Sequence, residues 1–172
     1  LMEFSNTREL DLIVMGRVAV DLYAEQINAE LEDVQTFRKY LGGCAGNIAV
    51  GSSRLGLKVQ ILSCVGTDAM GRFLKKKLIK ENVNINLLLG IVPPNHFPLI
   101  FYRESCADMQ VAIEQIAPNC FSKAKALVVT GTGLSHPKSR ETTLWAMKQA
   151  RSMNTRVLID LDYRPVLWGL TE

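Results

Sequence analysis

Apolar and polar positions along the chain change period several times, and each change predicts an element. Leu10-Asp11-Leu12-Ile13-Val14-Met15 is a short apolar run closed by Gly16, which predicts a buried strand. Val18 to Tyr23 is β-prone again, with Asp21 interrupting it where a core strand avoids charge. Val34 to Tyr40 has the partly alternating pattern of an exposed strand, and Gly42-Gly43 is expected to stop it. From Ala45 the spacing turns helical through Ile48, Ala49, Ser52 and Leu55, with Gly56 just past the end. Val59 to Val65 reads as a strand ending at Gly66. A second helix follows, capped by Thr67 or Asp68, with Phe73, Leu74, Leu78 and Ile79 on one apolar face.

Two further strand-like stretches lie between residues 84 and 104, around the turn Pro93-Pro94-Asn95. A strand from Lys125 to Thr130, a long helix from Pro137 to Met153 and a last strand from Arg156 to Asp162 complete the pattern. Residues 1–10 are polar and unpatterned, as termini usually are. The repeated alternation predicts an α/β fold, a mainly parallel sheet flanked by helices with right-handed crossovers. Residues 17–41 and 97–104 break the alternation and are expected to form a small subsidiary sheet over one edge.

Composition narrows the function classes. With 172 residues, 48% hydrophobic and 22% charged, the chain is an ordinary globular domain with a genuine core, and a disordered or collagen-like chain is excluded. The net charge of +3 is spread, and its densest run, Lys75-Lys76-Lys77, reads as a solvated helix face, so no nucleic-acid partner is expected. No apolar run approaches a bilayer span and no secretion signal opens the chain, so neither a membrane partner nor export is expected. Cys44, Cys64, Cys106 and Cys120 form no CxxC pair, and His96 and His136 stand alone. That spacing predicts free thiols of a cytoplasmic protein, each a small buried hydrophobe, and no metal site.

Ligands of open parallel sheets bind beyond the carboxyl ends of the strands. This singles out Asp21, Gly42-Gly43, Asn47 and the group Asp160, Asp162 and Arg164. In Gly42-Gly43-Cys44-Ala45-Gly46-Asn47 the glycines let the backbone approach a ligand, and the following helix start offers free N–H groups and positive potential. The Asn47 amide both donates to and accepts from a hydroxyl. The segment is neither a Walker A loop nor a GxGxxG turn.

The longer spacing, Gly42-Gly43, Asn47-Ile48-Ala49, Gly56 and Gly66, resembles the N-terminal signature of the PfkB (ribokinase-like) carbohydrate kinases, and Gly66-Thr67-Asp68-Ala69-Met70-Gly71 extends it. Within that family, four segments are most similar to the branch that phosphorylates 5-dehydro-2-deoxy-D-gluconate in myo-inositol breakdown. They are residues 16–23, Thr36-Phe37-Arg38-Lys39-Tyr40, Tyr102-Arg103-Glu104 and residues 160–168. The resemblance implies a ribokinase-like fold of which residues 1–172 are the N-terminal part, incomplete at its C-terminal end, with lid strands at about 17–41 and 97–104.

It also implies roles for residues. Asp21 would accept hydrogen bonds from sugar hydroxyls, with Gly42, Gly43 and Asn47 lining the same pocket. Arg103 and Arg164 would grip a carboxylate, which favours an acidic sugar. The run Asp160-x-Asp162-x-Arg164 departs from the Asp-x-Asn-x-Arg of related sugar-acid kinases, so the role of Asp162 stays open. Arg17 is left outside the site, Thr130 to Gly133 is expected to be a simple tight turn, and Trp145 and Met147 are expected in the core. Trp168 is expected to pack beneath the loop carrying Arg164.

The intact enzyme would use ATP and Mg²⁺. Its acceptor would be the sugar acid, with 2-keto-3-deoxygluconate or a neutral sugar such as ribose or fructose as alternatives, and a noncatalytic sugar-binding product as a further one. The family's Asp base sits in a Gly-Ala-Gly-Asp motif that does not occur here, so these residues alone are expected to be inactive and to hold no catalytic base. The resemblance also implies a homodimer paired through lid strands.

Overall fold

The computed structural model describes residues 7–91, 106–117, 119–163 and 168. Five strands form one parallel sheet in the order β5-β4-β1-β6-β7. These are β1 (Leu10–Met15), β4 (Val59–Gly66), β5 (Asn84–Ile91), β6 (Ala124–Thr130) and β7 (Arg156–Asp160). Helices α1 (Cys44–Arg54) and α2 (Ala69–Lys80) cover one face, and α3 (Pro137–Ser152) covers the other.

The near-continuous apolar runs follow from this sandwiching, because a strand covered on both faces needs no polar side. In β1, Ile13 and Met15 pack toward α3 with Leu62, Phe121, Leu127, Val129 and Ala146. Val14, between them, packs toward α1 and α2 with Ala45, Ala49, Ile61, Leu74 and Leu78. Trp145 and Met147 lie partly buried against the α3-side core, as expected, with Trp145 edge-on to Phe121 at 6.2 Å. Ile79 differs: it is 56% exposed, and Gly71, Leu74 and Leu78 form the buried face of α2 instead.

The amino end of the sheet is pinned by two side chains. Asp11 accepts from the Lys58 amide at 2.8 Å and from Lys125 Nζ at 2.8 Å, tying the starts of three adjacent strands together. Those bonds, the one to Lys125 foremost, hold the Asp11 carboxyl below the ordinary aspartate range. Arg8 lies in the stretch expected to be an unpatterned terminus, yet it is a clamp. Its guanidinium donates to the carbonyls of Phe121, Ser122, Ala124, Met153 and Asn154 and to Thr155 Oγ1, at 2.7–3.3 Å. It thereby holds the approach to β6 against the exit of α3.

The motif Gly66 to Gly71 has a local explanation. Asp68 is the cap of α2 and accepts from the Gly71 amide at 2.8 Å. A Cβ on Gly71 would run into the Gly66 carbonyl, so the turn requires glycine there.

Strands β2 (Ala19–Ala24) and β3 (Phe37–Gly42) form a separate antiparallel two-stranded sheet. Val20 and Leu41 on one side pack onto the α1–α2 core, and Lys39 Nζ sits 4.8 Å from the Phe73 ring of α2. Asp21, Tyr23, Arg38 and Tyr40 occupy the other face, where the Tyr23 and Tyr40 rings meet edge-on at 5.5 Å. β3 starts three residues later than its expected beginning at Val34 and runs on through Gly42. The stretch 97–104 lies outside the described residues, as does the turn Pro93-Pro94-Asn95. β7 ends at Asp160 rather than Asp162, which carries a left-handed φ of 28°. Trp168 is 37% exposed, with the Arg140 guanidinium over its ring at 5.4 Å; the loop carrying Arg164 lies outside the described residues.

Candidate functional site

Beyond the carboxyl end of β1 the chain turns out of the main sheet at Gly16. Its carbonyl accepts from Ser63 Oγ of β4 at 2.7 Å, and a Cβ there would strike the Thr130 side chain at the end of β6. The next residue makes the decisive contact. The Arg17 carbonyl accepts from the amides of Ala45 at 3.1 Å and Gly46 at 3.3 Å, in the first turn of α1. Gly43, at φ +85°, lets the backbones come this close, since a Cβ there would lie 2.5 Å from the Arg17 oxygen.

This contact corrects the expectation of free N–H groups at the start of α1. The amides of Ala45 and Gly46 are occupied by the protein's own carbonyl, and the Asn47 amide donates to Gly43 O at 2.9 Å. The glycine pair therefore joins β1 to α1 and orients the small sheet. It does not present those amides to an anion.

Asp21 lies within β2 opposite Tyr40, not at a strand end. Its carboxylate rests over Gly42, where an added Cβ would overlap it. Gly42 is thus the floor on which the Asp21 side chain lies, and the structure brings these two expected site residues together. Gly43 follows at once, and Asn47 stands exposed on the first turns of α1. Among the described residues neither the Asp21 carboxylate nor the Asn47 side chain makes a hydrogen bond within the protein. Arg103 and Arg164 lie outside the described residues.

Several residues that pattern reading placed elsewhere belong to this end of the sheet. Thr130 to Gly133 is not a simple tight turn. Gly131–Leu134 forms a 3-10 turn in which Thr132 is buried, and its Oγ1 lies 2.9 Å from Thr130 Oγ1 and 3.1 Å from Cys44 Sγ. This chain of small polar groups links β6 to the start of α1. Gly131 also lies under the Leu161 carbonyl, which holds the exit of β7 against the same end.

Cys44 is partly exposed, as is Cys106, so only Cys64 and Cys120 are buried thiols. Burial pushes both of those up to about 11. Arg17, left out of the site on sequence grounds, borders a small cavity beside Gly16, Asp108, Gly133, Ser139 and Thr143. Its position directly after a strand-ending glycine was the signal available for it.

Among the described residues no group of three or more His, Cys, Asp or Glu side chains is arranged to hold a metal ion, and no helix is long and apolar enough to cross a membrane.

Comparison with known proteins places this geometry. Residues 9–91 match the model of the pfkB family carbohydrate kinases. A 5-dehydro-2-deoxygluconokinase of Photobacterium profundum is 40% identical over 94% of the chain, an alignment covering 52% of that protein. The chain thus spans about half the length of the curated relatives it matches. Among solved structures, a PfkB protein from Polaromonas superposes with a TM-score of 0.82 at 27% identity, over 92% of this chain and 58% of that one. A sugar kinase from Pyrococcus horikoshii in complex with ATP gives 0.79 at 27% identity, over 92% and 55%. With the parallel sheet, the small antiparallel sheet and the glycine pair between them all in place, residues 9–91 are similar to the pfkB family of carbohydrate kinases and the likeness continues through nearly all of this chain.

Proposed function

We propose that these residues form the acceptor-binding part of an ATP-dependent sugar-acid kinase whose substrate is 5-dehydro-2-deoxy-D-gluconate. The observation that carries the reading is the Asp21 carboxylate, which lies over Gly42 and is left without a protein hydrogen-bond partner among the described residues. A carboxylate held in that way accepts from two neighbouring hydroxyls, which is how a sugar is oriented. Asn47, exposed nearby on α1, adds a donor and an acceptor. The names of the relatives supply the acid.

ATP, as its Mg²⁺ complex, would supply the phosphoryl group. The described residues do not fit the holding of either: no metal-ligand group is present among them, and the Ala45 and Gly46 amides are taken by the Arg17 carbonyl. Their part is to bind and orient the acceptor, and the 172-residue chain by itself is inactive in this reading. Pairing of two copies through the small sheet, whose Tyr23, Phe37 and Tyr40 are exposed, belongs to the same reading.

The test is steady-state kinetics of the full-length protein with the acid and with ribose, fructose and 2-keto-3-deoxygluconate. Asp21→Asn should lower kcat/KM for the acid roughly 10- to 100-fold, the worth of one or two charge-assisted hydrogen bonds. Preference for a neutral sugar, or a variant within about twofold of wild type, where a lost charged bond costs at least tenfold, overturns the reading.

A further inference from the structure

We propose that the Arg17 guanidinium selects a carboxylate-bearing sugar by binding that carboxylate directly. The inference rests on the sugar-acid reading above and adds to it a further residue that reads the acid, beside the expected Arg103 and Arg164.

Arg17 Nε is sealed from solvent and has no hydrogen-bond partner among the described residues. A charged N–H withdrawn from water without an acceptor is unfavourable, so a fold that keeps one beside a site holds a place for an anion. The group borders a cavity lined also by Gly16, Asp108, Gly133, Ser139 and Thr143, none of which reaches Nε with a hydrogen bond. That cavity has room for about one water-sized group. It fits a single carboxylate oxygen, and a sugar ring must lie outside it.

The Arg17 backbone is fastened to α1 beside Gly43, and the Asp21 carboxylate lies over Gly42, the preceding residue. Arg17 and Asp21 thus stand four residues apart on the segment that leaves β1 beside the glycine pair.

Around the small sheet, three sources of positive potential among the described residues are engaged; Arg103 and Arg164, the expected carboxylate grips, lie outside the described residues. The Ala45 and Gly46 amides are capped, Arg38 pairs with Glu25 at 2.9 Å, and Lys39 lies against Phe73 on the opposite face of the small sheet. A planar guanidinium also suits a carboxylate better than a point charge does, because it offers paired donors.

The experiment uses the full-length protein with 5-dehydro-2-deoxy-D-gluconate and the matching analogue in which the C1 carboxylate is a primary alcohol. Wild type should prefer the acid. Arg17→Met should raise KM for the acid about 10- to 100-fold, leave kcat within a few-fold, and leave KM for the alcohol and for ATP unchanged. Arg17→Lys should recover part of the loss.

Should the methionine variant fail to fold, the wild-type Arg17 Nε–H resonance decides, since it should shift on adding the acid and stay still on adding the alcohol. If wild type takes no sugar acid, the functional reading falls and this proposal with it. If wild type takes the acid but Arg17→Met keeps the preference, or the resonance does not move, only the assignment of Arg17 falls.

Discussion

Replacing Arg8 by methionine removes the guanidinium and keeps most of the aliphatic stem. The two Nη atoms carry four of the five guanidinium hydrogens, and they face six acceptors, so at most four well-aligned bonds form at once. The shortest contacts are Ser122 O at 2.7 Å, with Ala124 O, Thr155 Oγ1 and Met153 O at 2.8 Å. A hydrogen bond to a charged group contributes about 1.5–3 kcal/mol where it is shielded. The Ser122 and Asn154 carbonyls are solvent-exposed and take water in its place, and bonds sharing one donor are not additive.

The net loss on Arg8→Met should therefore be about 2–4 kcal/mol. For a chain of this size each kcal/mol moves the midpoint by roughly 2–4 °C, so the expected fall in Tm is about 5–15 °C. Differential scanning calorimetry of wild type, Arg8→Met and Arg8→Lys measures it. The lysine variant should recover only a fraction, because one ammonium cannot span the Ser122 and Met153 carbonyls as a fork does. A methionine variant melting within about 2 °C of wild type, less than the shift of a single kcal/mol, would refute the clamp.

Glycine substitutions give a pair of opposite sign. Gly51→Ala, in α1 with nothing within 4 Å of the added carbon, should stabilise by about 0.5–1 kcal/mol, whereas Gly71→Ala, driven into the Gly66 carbonyl, should destabilise by about 1–3 kcal/mol or more, both read from urea unfolding. The lowered Asp11 carboxyl gives stability that is complete above the unfolded aspartate value of about 3.9 and is lost as pH falls through the lower folded value. Wild type should thus melt above Asp11→Asn at neutral pH, and the gap should close in strong acid; a gap independent of pH contradicts this. Thiol labelling near pH 8 should spare Cys64 and Cys120, held at about 11 by burial, and reach Cys44 and Cys106. A sugar acid bound over Gly43 should slow Cys44 alone, and equal slowing of Cys106 would count against the site.

The strands and helices were readable because two-sided burial writes an unmistakable pattern: apolar runs in β1, β4 and β6, and helical spacing in α1 and α3. Where one residue decided an edge, the pattern was less informative. Gly42 reads as a strand stop but is the last residue of β3, because an antiparallel partner holds it and its missing side chain makes room for Asp21. Ile79 carries an apolar side chain at a helical interval, yet the turn of α2 carries it outward. In the candidate site, Asp21, Gly42 and Gly43 were visible as a charge in an apolar run and a paired glycine before a helix. The capping of α1 by the Arg17 carbonyl was not, because it joins backbone groups 28 residues apart and any residue type supplies a carbonyl. Arg8 was hidden for a similar reason. Its acceptors are five carbonyls and the Thr155 hydroxyl, all more than a hundred residues away, and nothing in the local pattern marks them.

The position of β1 at the middle of the sheet has a consequence for how the chain acquires its structure. Its neighbours are recruited across separations of 47 residues, as Asp11 reaches Lys58, and 114 residues, as it reaches Lys125. A parallel arrangement with such remote pairings has high contact order, which slows the search for the native topology. During synthesis β1 leaves the ribosome long before β6 exists, and it must wait with one flank uncovered. Nascent intermediates of this protein should therefore lean on chaperones until residue 130 has emerged, and early termination before β6 should yield aggregates.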